Sequence, residues 1–193
     1  MGWTLVQTQT ASSVSFIQFT IDGTYDEIMF VVTHYRPTTD EQELEWQVKT
    51  SSHTSYNRGI QSNNYLMWVN RGTGGDQMSF YGGSPWWQDS SDAETQAFLG
   101  GEGTTTTGTG GNAAQMGASG ELTFYKPQDT THWKHWDAKQ SNIYTGNGTL
   151  AQTNNYPIFT SGYVKEAEAL TGIRFNCRSG SIAVGTFSMY GLA

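Results

Sequence analysis

The sequence predicts an all-β fold: an antiparallel two-sheet, jelly-roll-like sandwich carrying a long glycine-rich insertion. Three observations predict it. Apolar and polar residues alternate with period two at both ends of the chain, as strands with one buried face require. The composition combines 13% aromatic residues with only 14% charged residues and 23 glycines, the signature of short strands joined by polar turns. No helical period links the strand signals, so a parallel sheet with crossover helices is excluded and two packed antiparallel sheets remain. A closed barrel is the alternative.

The first strand block covers about residues 3–50. Trp3 to Gln9 is rich in Thr and Val. Val14 to Ile21 sets Ile17, Phe19 and Ile21 on one face, with Val14 and Phe16 on the other. Ile28 to Tyr35 is apolar on both parities and reads as a central strand. From Glu43 to Thr50, Leu44, Trp46 and Val48 alternate with Glu43, Glu45, Gln47 and Lys49, which predicts one wet face.

The second block covers about residues 121–192. Leu122 and Phe124 form a short strand that stops before Pro127. His132 to Tyr144 is a longer strand, and Ile158 to Val164 follows Pro157. Ile173, Phe175 and Cys177 alternate with Arg174, Asn176 and Arg178. In the last strand Ile182 and Val184 lie on one parity, Phe187 and Met189 on the other; a bulge at Gly185 would bring all four to one face. Asp22-Gly23, Pro37, Asn147-Gly148 and Ser179-Gly180 mark turns.

Between the blocks, residues 58–118 read as a loop-rich insertion, with the low-complexity run GGEGTTTTGTGGN at 100–112. A short helix is expected over Asp92 to Leu99, capped by Asp92. Length and organisation together predict one domain over residues 1–193.

The chemistry of several function classes is missing. Seventeen acidic against ten basic residues, net −7, with no basic run, argues against nucleic acid. No apolar run is long enough to span a membrane, and MGWTLVQTQT lacks the features of a signal peptide. A single cysteine, Cys177, on the apolar parity of its strand, reads as a buried thiol. His132 and His135 would share a face on a helix but point apart on a strand, so no metal site is expected there. No hydrolase elbow, P-loop or dinucleotide fingerprint occurs, and the acid clusters at 40–45 and 89–94 read as solvated surface. No catalytic residue, metal or cofactor is expected, and the chain reads as a non-enzyme.

What remains is aromatic. Trp133 and Trp136 have opposite parity, so one lies off the core face. Tyr81, Trp86, Trp87 and Phe98 fall in the insertion and are the candidate binding residues, since loop aromatics beside amides and hydroxyls suit sugar stacking or protein contacts.

The opening Trp3-Thr4-Leu5-Val6, ASSVSF (11–16), TYDEIMFVV (24–32), PTTDEQELEWQV (37–48) and SYN (55–57) resemble tailed-phage virion structural proteins of the tail-fibre or baseplate-associated type found in cyanophages and marine phages. The closing GIRFNCRSGSIAVGTFSMYGLA (172–193) is similar to their last strands. The resemblance covers roughly residues 1–57 and 119–193 and leaves 58–118 without a counterpart. It implies a virion location, with assembly in the host cytoplasm. It also implies a homo-oligomer, trimeric or higher, contacting other virion proteins and a host surface glycan. A capsid decoration or head-fibre protein, or a carbohydrate-binding module, are the alternatives.

Overall fold

The computed structural model describes residues 2–39, 42–72, 75–81, 87–88, 97–99, 117–145 and 153–193. Thirteen strands occur among them, and no helix: β1 (Thr4–Val14), β2 (Phe16–Thr20), β3 (Glu27–Pro37), β4 (Leu44–Thr50), β5 (Ile60–Gly72), β6 (Gly75–Tyr81), β7 (Trp87–Gln88), β8 (Ala97–Phe98), β9 (Gly117–Tyr125), β10 (Lys134–Thr145), β11 (Thr153–Val164), β12 (Leu170–Cys177) and β13 (Ile182–Leu192). They build two antiparallel sheets. The larger runs β1-β13-β3-β9-β10-β11-β5-β6, with β7 beside β5; the smaller runs β2-β12-β4-β8.

The two terminal blocks meet in both sheets. The first strand pairs with the last, Thr10 opposite Thr186, and the second with the last but one, Ile17 opposite Phe175. β3 lies between β13 and β9, as its run of apolar residues predicts. The period-two pattern works out as buried alternation: Ile28, Phe30 and Val32 from β3, Ile173 and Phe175 from β12, and Phe187 and Met189 from β13 all enter one cluster. Phe30 lies 5.5 Å from Phe19, 5.6 Å from Phe175 and 6.4 Å from Phe124 between ring centroids. Trp46 of the small sheet meets Phe124 and Trp136 of the large sheet edge-on, at 5.2 and 4.9 Å. Such pairs each add about 0.5–1.5 kcal/mol beyond area burial, and here they tie the sheets face to face.

The phase slip in the last strand is a bulge. The register between β13 and β3 shifts on both sides of Val184, and Gly185 adopts φ +157°. Ile182, Phe187 and Met189 are thereby buried together, while Val184 stays half-buried. Opposite, β3 carries its own irregularity between Val32 and Tyr35, with His34 at φ 53°.

Four sequence readings need correcting. The described residues of 58–118 include strands β5 to β8 rather than loop, and these strands extend both sheets: β5 pairs with β11 and β8 with β4. Composition hides this, because strand pairing depends more on the partner's ladder than on local propensity. At its closest, a Cβ on Gly162 of β11 would lie 1.8 Å from the carbonyl oxygen of Gln61, so glycine is what lets β5 approach. The helix expected from Asp92 is replaced at Ala97–Phe98 by β8, whose ladder completes the edge of β4; residues 92–96 lie outside the described residues. The strand expected from His132 starts at Lys134, because Asp129 accepts the Thr131 and His132 amides and folds 129–132 into a turn. Finally, the wet face of β4 is wet only beyond its start: Glu43 and Glu45 are both 2% exposed. Alternation reports side-chain parity and says nothing about what covers the outward parity, and here Asn176 of β12 donates to Glu45 Oε2 at 2.9 Å.

Candidate functional site

β10 separates its residues cleanly. Trp136, Ala138 and Gln140 point into the sandwich; His135, Asp137, Lys139 and Ser141 point out. β9 and β11 flank it in register, so the outward residues form cross-strand rows: His135 opposite Tyr163, Lys139 between Glu121 and Phe159, Ser141 between Ser119 and Pro157. The outer face of the large sheet therefore has a regular side-chain array.

Three of its aromatics are conspicuously uncovered. Trp133 is 50% exposed, Phe159 52% and Tyr125 40%. Trp133 stacks on Tyr163 with centroids 5.2 Å apart and planes 16° apart, and His135 lies 6.4 Å from the same ring. Tyr163 donates its hydroxyl hydrogen bond to Gln61 Oε1, which holds the ring in place. Tyr125 donates to Asp137 Oδ1; that bond, then burial and the nearby acids, push the phenol up to about 12. Phe159 lies four residues from Tyr163 on the same strand face, about 13 Å away at strand rise.

Next to Phe159 the face dips into a shallow groove of about 420 Å³, lined by Val31, Glu121, Lys139, Ser141, Pro157 and Phe159. Gly120 also lines it, and a Cβ there would lie 2.5 Å from the Lys139 carbonyl oxygen. Lys139 Nζ and Glu121 Oε1 are 2.6 Å apart, and with Asp137 held by Tyr125 the face presents paired charges between aromatic surfaces. Such a mixture of flat apolar area and oriented polar atoms suits binding of a polar, ring-shaped surface.

One cluster resembles hydrolytic machinery but is wired differently. Ser52, His53 and Glu168 meet at one end of the sandwich. The Ser52 hydroxyl donates to the Glu168 carboxylate itself, at 2.5 and 2.6 Å, and its oxygen lies 3.0 Å from His53 Nδ1. A nucleophile needs the imidazole between hydroxyl and acid. Here hydrogen bonds from Ser52 and Thr50 hold the Glu168 carboxyl down at about 2, and the cluster ties the loop after β4 to the loop before β12. Lys134 does similar work: its buried ammonium donates to the carbonyl oxygens of His132 and Glu166, at 2.6 and 3.3 Å, and desolvation lowers its pKa. Among the described residues no group of three or more His, Cys, Asp or Glu is placed to hold a metal ion.

Of the four aromatics singled out in the insertion, three can be followed as backbone. Tyr81 lies opposite Leu66 in β6, Trp87 opposite Asn63 in β7 and Phe98 opposite Glu45 in β8, by backbone register alone. Their side chains, and all of Trp86, lie outside the described residues. Of the pair 133 and 136, Trp136 enters the core and Trp133 stays out, as their opposite parity requires. Tyr125, Phe159 and Tyr163 escaped the sequence reading, which considers His135 only as a candidate metal ligand. Carrying strict alternation through β10 and past Pro157 would have put His135, Phe159 and Tyr163 on the outward parity. Cys177 is buried, 3.0 Å from the Tyr35 hydroxyl, and burial pushes the thiol up to about 11, the state of an unreactive cysteine.

Comparison with protein-family models, with curated proteins and with solved structures finds no match to this chain.

Proposed function

We propose that this chain is a non-enzymatic phage virion structural protein, a tail-fibre, spike or baseplate-associated subunit, whose exposed sheet faces make its contacts. The observation that carries this reading is the pairing of the chain's ends. The two segments that resemble phage structural proteins, far apart in sequence, are hydrogen-bonded neighbours: β1 with β13, β2 with β12 and β3 with β13. They therefore make up one continuous module rather than two unrelated matches. We read the strand order β1-β13-β3-β9 over β2-β12-β4-β8 as a jelly-roll wrap, with β5 to β7 and β10–β11 added.

Assembly as a homo-oligomer, trimeric or higher, has support at the free edge of the large sheet. β1 contains no charged residue, Leu5 and Val6 are exposed along it, and Trp3 is exposed just before it. Monomeric proteins usually protect such an edge with charges or proline. A capsid decoration protein would share these features. The second reading, a carbohydrate-binding module serving as a host-recognition tip, is favoured by the exposed Trp133–Tyr163 stack.

Mass spectrometry of purified particles, with light scattering of the isolated chain, tests the proposal. The chain is expected in the particles and as a stable oligomer in solution. A chain that stays monomeric and never accompanies particles would overturn it, and turnover of a host polysaccharide would replace it with an enzyme.

A further inference from the structure

The outer face of the small sheet carries a different arrangement. Arg174 of β12 lies between two rings, its guanidinium carbon 5.7 Å from the centroid of Phe16 and 5.0 Å from that of Tyr56. Lys49 of β4 places its ammonium 5.4 Å from the same Tyr56 ring. Gln47 accepts a hydrogen bond from Arg174 Nη2, and Gln18 is its cross-strand neighbour on the other side. Gly172 makes the packing possible: a Cβ there would lie 2.7 Å from Lys49 Cε and 2.9 Å from the Tyr56 hydroxyl. Two cations, two rings and two amides thus share one patch.

Cations are scarce in this chain, ten against seventeen acids. Several are spent on carboxylates: Arg58 on Glu166, Lys126 on Asp26 and Lys139 on Glu121. Lys49 and Arg174 have no carboxylate within 4.0 Å among the described residues, and Arg174 Nε is buried there without an acceptor. Glu45, on the same outward parity of β4, gives its Oε2 to Asn176 instead. A solvated wet face would need neither a guanidinium clamped between rings nor a glycine cleared for a lysine stem. Clamping cuts the ordering cost of binding, and the guanidinium fork matches a carboxylate in two parallel hydrogen bonds.

We propose that this face binds a carboxylate-bearing sugar. Arg174 and Lys49 take the carboxylate, the 43% exposed ring of Phe16 lies against the sugar's apolar face, and the amides of Gln18 and Gln47 meet its hydroxyls. The net charge of −7 opposes a densely charged polyanion such as nucleic acid, whereas a carboxylate on a sparsely charged sugar needs only this local pair. The site stands whether or not the chain belongs to a virion, and it is separate from the aromatic face of the large sheet.

Calorimetric titration of the full chain with trigalacturonate, and with maltotriose as a neutral trisaccharide, tests it. Trigalacturonate is expected to bind at least about tenfold tighter than maltotriose, and progressively more weakly as salt is raised. Arg174→Gln is expected to lose about tenfold or more of that affinity, since a charge-assisted pair is removed. Lys49→Met should lose a smaller factor, and Arg174→Lys should fall between wild type and Arg174→Gln, retaining the charge without the fork. Equal binding of the two trisaccharides, binding of neither, or a Lys49→Met variant indistinguishable from wild type would overturn the proposal. Lys49→Met decides the matter if Arg174→Gln fails to fold, because Lys49 holds no ion pair among the described residues.

Discussion

Trp133 and Trp136 are three residues apart, yet they work in opposite ways. Trp136 is 2% exposed and meets Trp46 edge-on at 85°, inside a chain of rings that joins the two sheets. Trp133 is 50% exposed and lies flat on Tyr163 with solvent on its other side. Inside, edge-to-face rings interlock and exclude water; outside, stacked rings form a flat surface that a ligand can cover. The difference teaches that aromatic content, the most visible feature of this composition, divides into a structural half and a recognition half by strand parity.

The sharpest way to break the comparison is to truncate both residues. Trp136→Ala is expected to destabilise the fold by about 3–5 kcal/mol, through lost burial and the cavity left against Trp46. Trp133→Ala should cost less than about 1 kcal/mol, in the range of surface changes. Urea unfolding of the two variants measures both. Similar losses would mean that the outer stack is part of the core, and the large-sheet face would lose its claim as a binding surface.

A second test asks how deeply the outward parity of β4 is covered. Burial raises the Glu45 carboxyl from 4.5 to about 7, opposed by the Asn176 hydrogen bond and the Arg178 charge. The folded chain therefore holds this proton across a range where the unfolded chain has released it. The resulting stability is fully present below about pH 4.5 and is lost as pH rises through about 7. The loss should be on the order of 2 kcal/mol, and Glu45→Gln should abolish it. Glu168, held down at about 2, acts with the opposite sign and below this window, where stability falls as acid protonates it. A wild-type stability that matches Glu45→Gln at both pH 4.5 and pH 8 would show that water reaches the carboxylate after all.

These two cases also show what was legible beforehand. Parity was: Phe30, Phe175, Phe187 and Trp136 point inward as alternation requires, and even the slip around Gly185 was visible as a change of phase. Coverage was not. Nothing local to Glu43 or Glu45 announces that their face is closed, because Asn176 comes from 131 residues further along the chain. The strands of 58–118 were hidden for the same reason, since β5 owes its place to the ladder of β11 and to the absent side chain of Gly162. The outer aromatic face was half legible: Trp133 by parity, but not its partner Tyr163, which lies thirty residues on and reaches it only through the β10–β11 register.

The smallest expected effect sharpens the comparison from the polar side. Lys139 and Glu121 sit at the centre of the outer face, 2.6 Å apart, with side chains 59% and 34% exposed. In high dielectric, such a pair is worth about 0–1 kcal/mol and is weakened by salt. Lys139→Ala should therefore change urea stability by less than about 0.5 kcal/mol. The structural partners of the row remain, since Ala keeps the backbone ladder to Glu121 and Phe159. What changes is the surface: the groove loses its cation, Glu121 loses its partner, and an acidic ligand would be repelled where a neutral one would not. If the variant instead unfolds cooperatively by several kcal/mol, the lysine stem must be packing against Phe159 as part of the fold. The division between a structural inside and a recognising outside would then fail at the very row where it is drawn.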